Sequence, residues 1–198
     1  MNKRWIILVA LAIAVVFMGR NEFAAAWSKK GIMAEAKISG CTASGISGTA
    51  KLSERMSEEG VKLVDINLKV KGLSDGKHAV HIHETGACEP CGAAKGHFDP
   101  GPHGFSNPDG NHPFHSGDLI NIESKNGTGI METTTSRITL SPGPLSIFDE
   151  DGSAFIIHTN MDTYCPEGIV KGCAGGSRDA CGSIVMKEVK DDGPKKGY

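Results

Sequence analysis

An unbroken apolar run, "WIILVALAIAVVFMG" at residues 5–19, opens the chain, and after Trp27 the apolar positions settle into short alternating stretches separated by polar turns. Alternation with a period of two puts successive side chains on opposite faces of a strand, so these stretches predict half-buried strands. Residues 61–70, "VKLVDINLKV", place Val64, Ile66, Leu68 and Val70 on one face, and "GLSDGK" then reads as a turn into "HAVHIH" at 78–83. On that next strand Val80 and Ile82 alternate with His81 and His83, so one face enters a core while the other presents two parallel imidazoles. His78 falls on the aliphatic face near the strand's start and is read as structural or as a solvent-edge residue. "SAFIIHTNMD" repeats the logic, with Phe155 and Ile157 on one face and Ile156 and His158 on the other, and "ACGSIVMKEV" reads as a closing strand.

Between the strands the chain is rich in turn chemistry, with 26 glycines and pairs such as "PDG", "NG" and "DG". Two Gly/Pro-rich stretches, about 86–117 and 160–177, are too polar and broken for core elements, and loops of that length commonly carry function. Short strands joined by turns, without helical periodicity, predict an all-β fold: a Greek-key antiparallel β-barrel or sandwich, immunoglobulin-like, of about eight strands with two long functional loops. No internal repeat is visible.

The N-terminus changes the picture of where the chain works. "MNKR" is a short basic start, the apolar run of fifteen residues follows, and "FAAAW" offers small residues at Ala24 and Ala26, the pattern of a secretory leader. The run is short of the roughly 20 residues a spanning helix needs, so residues 1–26 are expected to be removed, with an uncleaved N-terminal tether as the alternative. The organisation that follows is a leader at 1–26, a linker at 27–39, a β domain at 40–189 and a frayed tail at 190–198, in a protein exported to the periplasm or outside the cell. Removing the leader takes Lys3, Arg4 and Arg20 from the 21 basic residues and Glu22 from the 23 acidic ones, leaving 18 against 22. Nothing in such a balance suggests a nucleic-acid partner. The six cysteines, Cys41, Cys88, Cys91, Cys165, Cys173 and Cys181, would then meet an oxidising compartment where disulfides persist, although spacing alone does not choose their pairing. "CEPC" at 88–91 would also suit a redox pair or half a zinc site, but no second CxxC accompanies it.

Metal-ligating side chains accumulate in order along the loops and strand ends: His81, His83, His97, His103, His112, His115, Asp118 and His158. Imidazoles with an added carboxylate and no thiolate suit copper or zinc. At this point the chain closely resembles the copper/zinc superoxide dismutase family, through "HIHETGAC" (81–88), "GHFDP" (96–100), "HSGDLINI" (115–122), "FIIHTNMD" (155–162) and "GGSRDACG" (175–182). Their order and rough spacing agree across residues 40–188. The resemblance implies copper held by His81, His83, His97 and His158, and zinc held by His97, His103, His115 and Asp118, with the His97 imidazole shared between the two metals. It further implies that copper cycles between two oxidation states while two superoxide anions become dioxygen and hydrogen peroxide, His97 carrying a proton, and that zinc stays redox-silent.

Other positions follow from the same likeness. Arg178 matches the arginine that docks the anion beside copper, and Asp162 matches a carboxylate linking a copper histidine to a zinc histidine. Glu167 and Lys171 lie where the family keeps charges on a loop that guides superoxide inward. Cys88 and Cys181 match the family disulfide; Cys165 and Cys173, flanking "PEGIVKG", are expected to brace the second loop, which leaves Cys41 with Cys91. Two departures stand out. His97 to His103 is shorter and His103 to His115 longer than the family's usual spacing, so His112 rivals His103 as a zinc ligand, while "HSGD" keeps the three-residue step from His115 to Asp118. Asp179, directly after Arg178, could pair with the guanidinium and weaken anion docking, or point away along the strand and change nothing. The reading is an exported superoxide dismutase, monomer or homodimer; its alternative is a non-catalytic protein that holds or delivers copper or zinc on the same scaffold.

Overall fold

The structure is a computed structural model that describes residues 31–42, 45–101, 115–164 and 170–187. The expected leader and the expected tail lie outside the described residues. Among the described residues nine strands form one antiparallel sheet: β1 (Ile32–Gly40), β2 (Ser47–Met56), β3 (Lys62–Lys71), β4 (Gly76–His78), β5 (Val80–His83), β6 (Ile122–Lys125), β7 (Thr128–Thr135), β8 (Ala154–His158) and β9 (Arg178–Met186). Their order is β4-β6-β7-β3-β2-β1-β9-β8-β5.

That order begins and ends on one stretch of chain. β4 pairs β6 and β5 pairs β8, and the two are separated only by Ala79, whose N–H donates to the Asn160 carbonyl and whose carbonyl accepts from the His158 N–H. Residues 76–83 are therefore one ribbon with its ladder broken at Ala79, and this ribbon bridges both ends of the sheet into a nearly closed barrel. Counted by ribbons the barrel has the eight expected members. Its Greek-key character lies in two crossovers: residues 72–75 carry the chain from β3 past β7 to β4 beside β6, and residues 136–153 carry it from β7 to β8.

The alternation read along residues 61–70 holds: Val64, Ile66, Leu68 and Val70 are all buried in the core with Leu52, Ile82, Phe155 and Ile157. The tight β6–β7 hairpin turns on Asn126 and Gly127, both at positive φ (51° and 71°), the conformation that the two-residue hairpin favours and that "NG" tolerates. Residues 32–39, expected as linker, are strand instead, β1 lying between β2 and β9. Its inward positions are Ala34, Ala36 and Ile38, and two alanines make an alternation too faint to stand out in the sequence.

Two further expectations are refined. His78 is fully buried, not at a solvent edge: Nδ1 lies 2.8 Å from the His158 carbonyl and Nε2 2.9 Å from the Ser74 carbonyl, so it staples β4 to the end of β8. Both faces of β5 and β8 are buried, because residues 84–101 and 115–121 and the segment after β8 cover their outer side. Disulfides pin that cover. Cys88–Cys181 ties the loop to β9, and Cys41–Cys91 ties the residue after β1 to a short 3₁₀ turn, Cys91–Ala94. The first closes 93 residues, for which the chain-entropy argument gives about 4–5 kcal/mol. Cys173 is also disulfide-bonded, while Cys165, its expected partner, lies outside the described residues.

The covering loop lies against β5 through one close approach. Gly117 accepts a hydrogen bond from the Ile82 N–H and donates to the Phe98 carbonyl, and a Cβ there would fall well inside contact distance of the Ile82 carbonyl oxygen. Gly117→Ala should therefore lower stability by about 2–3 kcal/mol through forced separation of backbones, read as a lower midpoint in denaturant unfolding of the metal-free chain. An unchanged midpoint would show that the loop is free to move off the barrel.

Candidate metal centre

The site grows from ordinary strand geometry. β5 points His81 and His83 to its outer side, and two passes of the long loop run antiparallel along it. One pass pairs His97 with His83, the other pairs Asp118 with His81, and hydrogen bonds from Phe98 N–H to Ile82 carbonyl and from Gly117 N–H to Phe98 carbonyl lock them in register. His158, the last residue of β8, arrives from the neighbouring strand.

Two donor sets result. One ligand atom from each of His81, His83, His97 and His158 lies within 4.8 Å of the others, and the same holds for His97, His115 and Asp118. His97 belongs to both. Its ring centroid is 4.0 Å from that of His81 and 4.9 Å from that of His83, and its Nδ1 lies 2.6 Å from Asp118 Oδ1 on the opposite side. His103 and His112, the rivals for a further ligand, both lie outside the described residues.

Each of the other three imidazoles of the first set is held by one nitrogen and offers the other. His81 Nε2 is 2.9 Å from Asp162 Oδ2, His83 Nδ1 is 3.0 Å from the Lys95 carbonyl, and His158 Nδ1 is 3.0 Å from the Gly176 carbonyl. Carbonyls and carboxylates only accept, so those nitrogens carry the protons and the tautomers are set. The opposite nitrogens, His81 Nδ1, His83 Nε2 and His158 Nε2, are buried without a hydrogen-bond partner. Buried lone pairs left unsatisfied are costly, and three of them aimed at one point fit a cation that takes nitrogen donors.

Charge placement sorts the two sets. Burial, with the charge of His97 second, pushes the His83 imidazole down to about 2, and burial with His81 pushes His158 to about 4, so both stay neutral donors. His81 is lowered as well, burial outweighing the hydrogen bond to Asp162. His115 moves the other way, raised chiefly by its contact with Asp118. Burial opposes the Asp118 carboxylate, yet hydrogen bonds from His115 and His97 overcome it and hold the group below the usual carboxylate range. His81, His83 and His158 thus bring neutral nitrogens to the first set, and Asp118 brings a carboxylate to the second.

Arg178 reaches over from the start of β9. Its Nη1 donates to the Cys91 carbonyl at 2.6 Å and its Nη2 to the Lys95 carbonyl, and its positive charge contributes to the lowered values of His83 and His158. Asp179 turns away: its Oδ1 accepts from Thr159 Oγ1 at 2.6 Å, so of the two alternatives the carboxylate leaves the guanidinium alone. Lys171 lines a cavity of about 310 Å³ together with His97, His158 and Gly176. Glu167 lies outside the described residues.

Sequence reasoning missed several participants. Asn121 bonds both backbone groups of Asp162, accepting from its N–H at 2.8 Å and donating to its carbonyl at 2.9 Å, while Asp162 Oδ1 accepts from the Tyr164 N–H at 2.7 Å. The half-buried Arg137 donates Nη2 to the His115 carbonyl. A lone Asn or Arg carries no spacing signal, and the Lys95 carbonyl, shared by His83 and Arg178, has no side-chain signature at all.

Comparison with known proteins agrees with this geometry. The family model described as copper/zinc superoxide dismutase matches residues 46–184. A copper-zinc superoxide dismutase of Aquifex aeolicus is 38% identical over 126 residues, covering 60% of this chain and 70% of its own length. A superoxide dismutase-like protein of Bacillus subtilis is 37% identical over 136 residues, covering 64% of this chain and 65% of its own. The crystal structure of a double mutant of a superoxide dismutase-like protein from the same species overlays with a TM-score of 0.56 at 32% identity, covering 75% of this chain and 95% of the other. With a matched segment that runs from the start of β2 to the end of the barrel and takes in both donor sets, the chain belongs to the copper/zinc superoxide dismutase family.

Proposed function

We propose that this protein is an exported superoxide dismutase that converts two superoxide anions to dioxygen and hydrogen peroxide. The observation that carries the reading is His97: one ring sits between the neutral nitrogens of His81, His83 and His158 on one side and the His115 and Asp118 pair on the other. His81, His83, His97 and His158 would hold copper; His97, His115 and Asp118, with His103 from the undescribed segment, would hold zinc. Copper would supply one-electron chemistry between two oxidation states, and zinc, with its filled d shell, a fixed positive charge that orients His97.

The chain's own residues would do the rest. Arg178, its guanidinium held by two backbone carbonyls, would dock the small anion at the mouth of the site, which a permanently charged planar fork does better than a mobile ammonium. His97 would take up a proton at Nε2, which faces the four-nitrogen set, while Asp118 holds its Nδ1 side. Asp162 would keep His81 presenting Nδ1. The two disulfides support export, since such bonds persist in oxidising compartments.

The full chain reconstituted with both metals should hold one copper and one zinc and consume superoxide. His158→Ala should lose copper and at least about a hundredfold of the activity while keeping zinc and the β-sheet circular dichroism spectrum. A variant that still consumes superoxide at the parental rate would overturn the copper assignment. Metals bound at parental stoichiometry with no dismutation would favour the metal-holding alternative. Arg178→Lys should keep both metals and lose roughly tenfold in rate, because charge survives and the fork does not.

Keeping imidazoles neutral has a stability consequence in the metal-free chain. His158 titrates near 4 when folded and near its ordinary 6.5 when unfolded, so between those values the unfolded chain binds more protons. The contribution of His158 is then full above about pH 6.5 and declines as the pH falls towards 4, with His83, lowered further, extending the decline. Denaturant midpoints of the metal-free protein between pH 7 and 4 should fall accordingly, and His158→Gln should flatten the slope; a midpoint rising with acid would contradict it.

A further inference from the structure

We propose that the Cys41–Cys91 disulfide sets the position of Arg178 and, through it, the site's hold on a small anion. The inference rests on Arg178 as the docking group of the proposed dismutase. It begins with where the bond starts and ends. Cys91 is the residue whose carbonyl accepts from Arg178 Nη1, and Cys41 donates its backbone N–H to the carbonyl of Asp179, the residue next to Arg178, at 2.8 Å. The covalent link therefore closes a circuit from Arg178 through β9 and β1 and back through Cys91 to the guanidinium.

Apart from that link the end of the turn is held by the burial of Ala94, by the hydrogen bonds that Gly96 exchanges with Glu84 and by the exposed Lys95–Asp151 pair, none of which acts on Cys91 itself. The turn's internal backbone bonds are local, Ala93 N–H to Pro90 carbonyl and Lys95 N–H to Gly92 carbonyl, and Lys95 sits at φ 59°, a region that a residue with a Cβ rarely adopts. Cys88–Cys181 anchors the chain three residues earlier, and the His83–His97 pairing anchors it after the turn. Cys91 packs with Ala94, Ala154, Ile156 and Cys181 in a small cluster of its own, apart from the main core. The Lys95 carbonyl also accepts from His83 Nδ1, so the turn that the disulfide pins touches both the docking group and one histidine of the four-nitrogen set.

Two paired variants, Cys41→Ser/Cys91→Ser and Cys41→Ala/Cys91→Ala, test this while retaining Cys88 and Cys181; the alanine pair introduces no hydroxyl into the cluster and covers the event that the serine pair does not fold. In the metal-free full chain, modification by the arginine-specific reagent phenylglyoxal, mapped by peptide mass, should proceed roughly tenfold faster at Arg178 and at the parental rate at Arg55. In the copper- and zinc-loaded protein, azide should bind several-fold more weakly at unchanged copper content. Parental reactivity at Arg178 in a folded pair, with only a lowered unfolding midpoint, would reduce the disulfide to a stabilising brace and overturn the proposal. A parent inactive towards superoxide whose paired variants still show the faster modification would retire the dismutase reading and leave the positioning role standing.

Discussion

Everything at the metal centre depends on the antiparallel pairing of the long loop with β5. Because the His83–His97 and His81–Asp118 pairs are backbone pairs, the side chains that meet are fixed by strand register, not by the flexibility of a loop. Gly117 makes that pairing possible by leaving room for the Ile82 carbonyl. A one-residue shift of the loop would turn His97 and Asp118 to the wrong side, leaving the first donor set one ring short and dismantling the second.

The same register explains how a buried cluster of imidazoles is tolerated. Each ring gives one nitrogen to a protein acceptor, Asp162, Lys95, Gly176 or Asp118, and keeps the other for the centre. Burial then favours the neutral form of His81, His83 and His158, while contact with Asp118 raises His115 and hydrogen bonds hold the Asp118 carboxylate ionised at the second set. Two electrostatically different environments share one ring, which is what a copper and a zinc ion with different chemistry would require.

Around this centre the disulfides act on backbone carbonyls. Cys88–Cys181 and Cys41–Cys91 hold a turn whose Cys91 and Lys95 carbonyls grip Arg178, and Asp179, which could have competed for the guanidinium, is taken by Thr159. Arg178 is thus positioned by main chain, and a near neighbour of opposite charge is kept out of its way.

Local pattern was enough to read strand β3, the inward face of Val80 and Ile82 and the outward pair His81 and His83, because a period of two is a property of adjacent residues. The motif likeness was enough to name the family and the histidines that converge. The Ala34 and Ala36 strand was too weakly apolar to read, and the buried staple made by His78 depends on carbonyls from Ser74 and His158 that no side-chain pattern announces. Residue types and their order along the chain thus determined which groups were available for chemistry. Only the tertiary structure decided which nitrogen each ring would offer, where Asp179 would point and which carbonyls would hold Arg178, since those contacts join backbone atoms far apart in sequence.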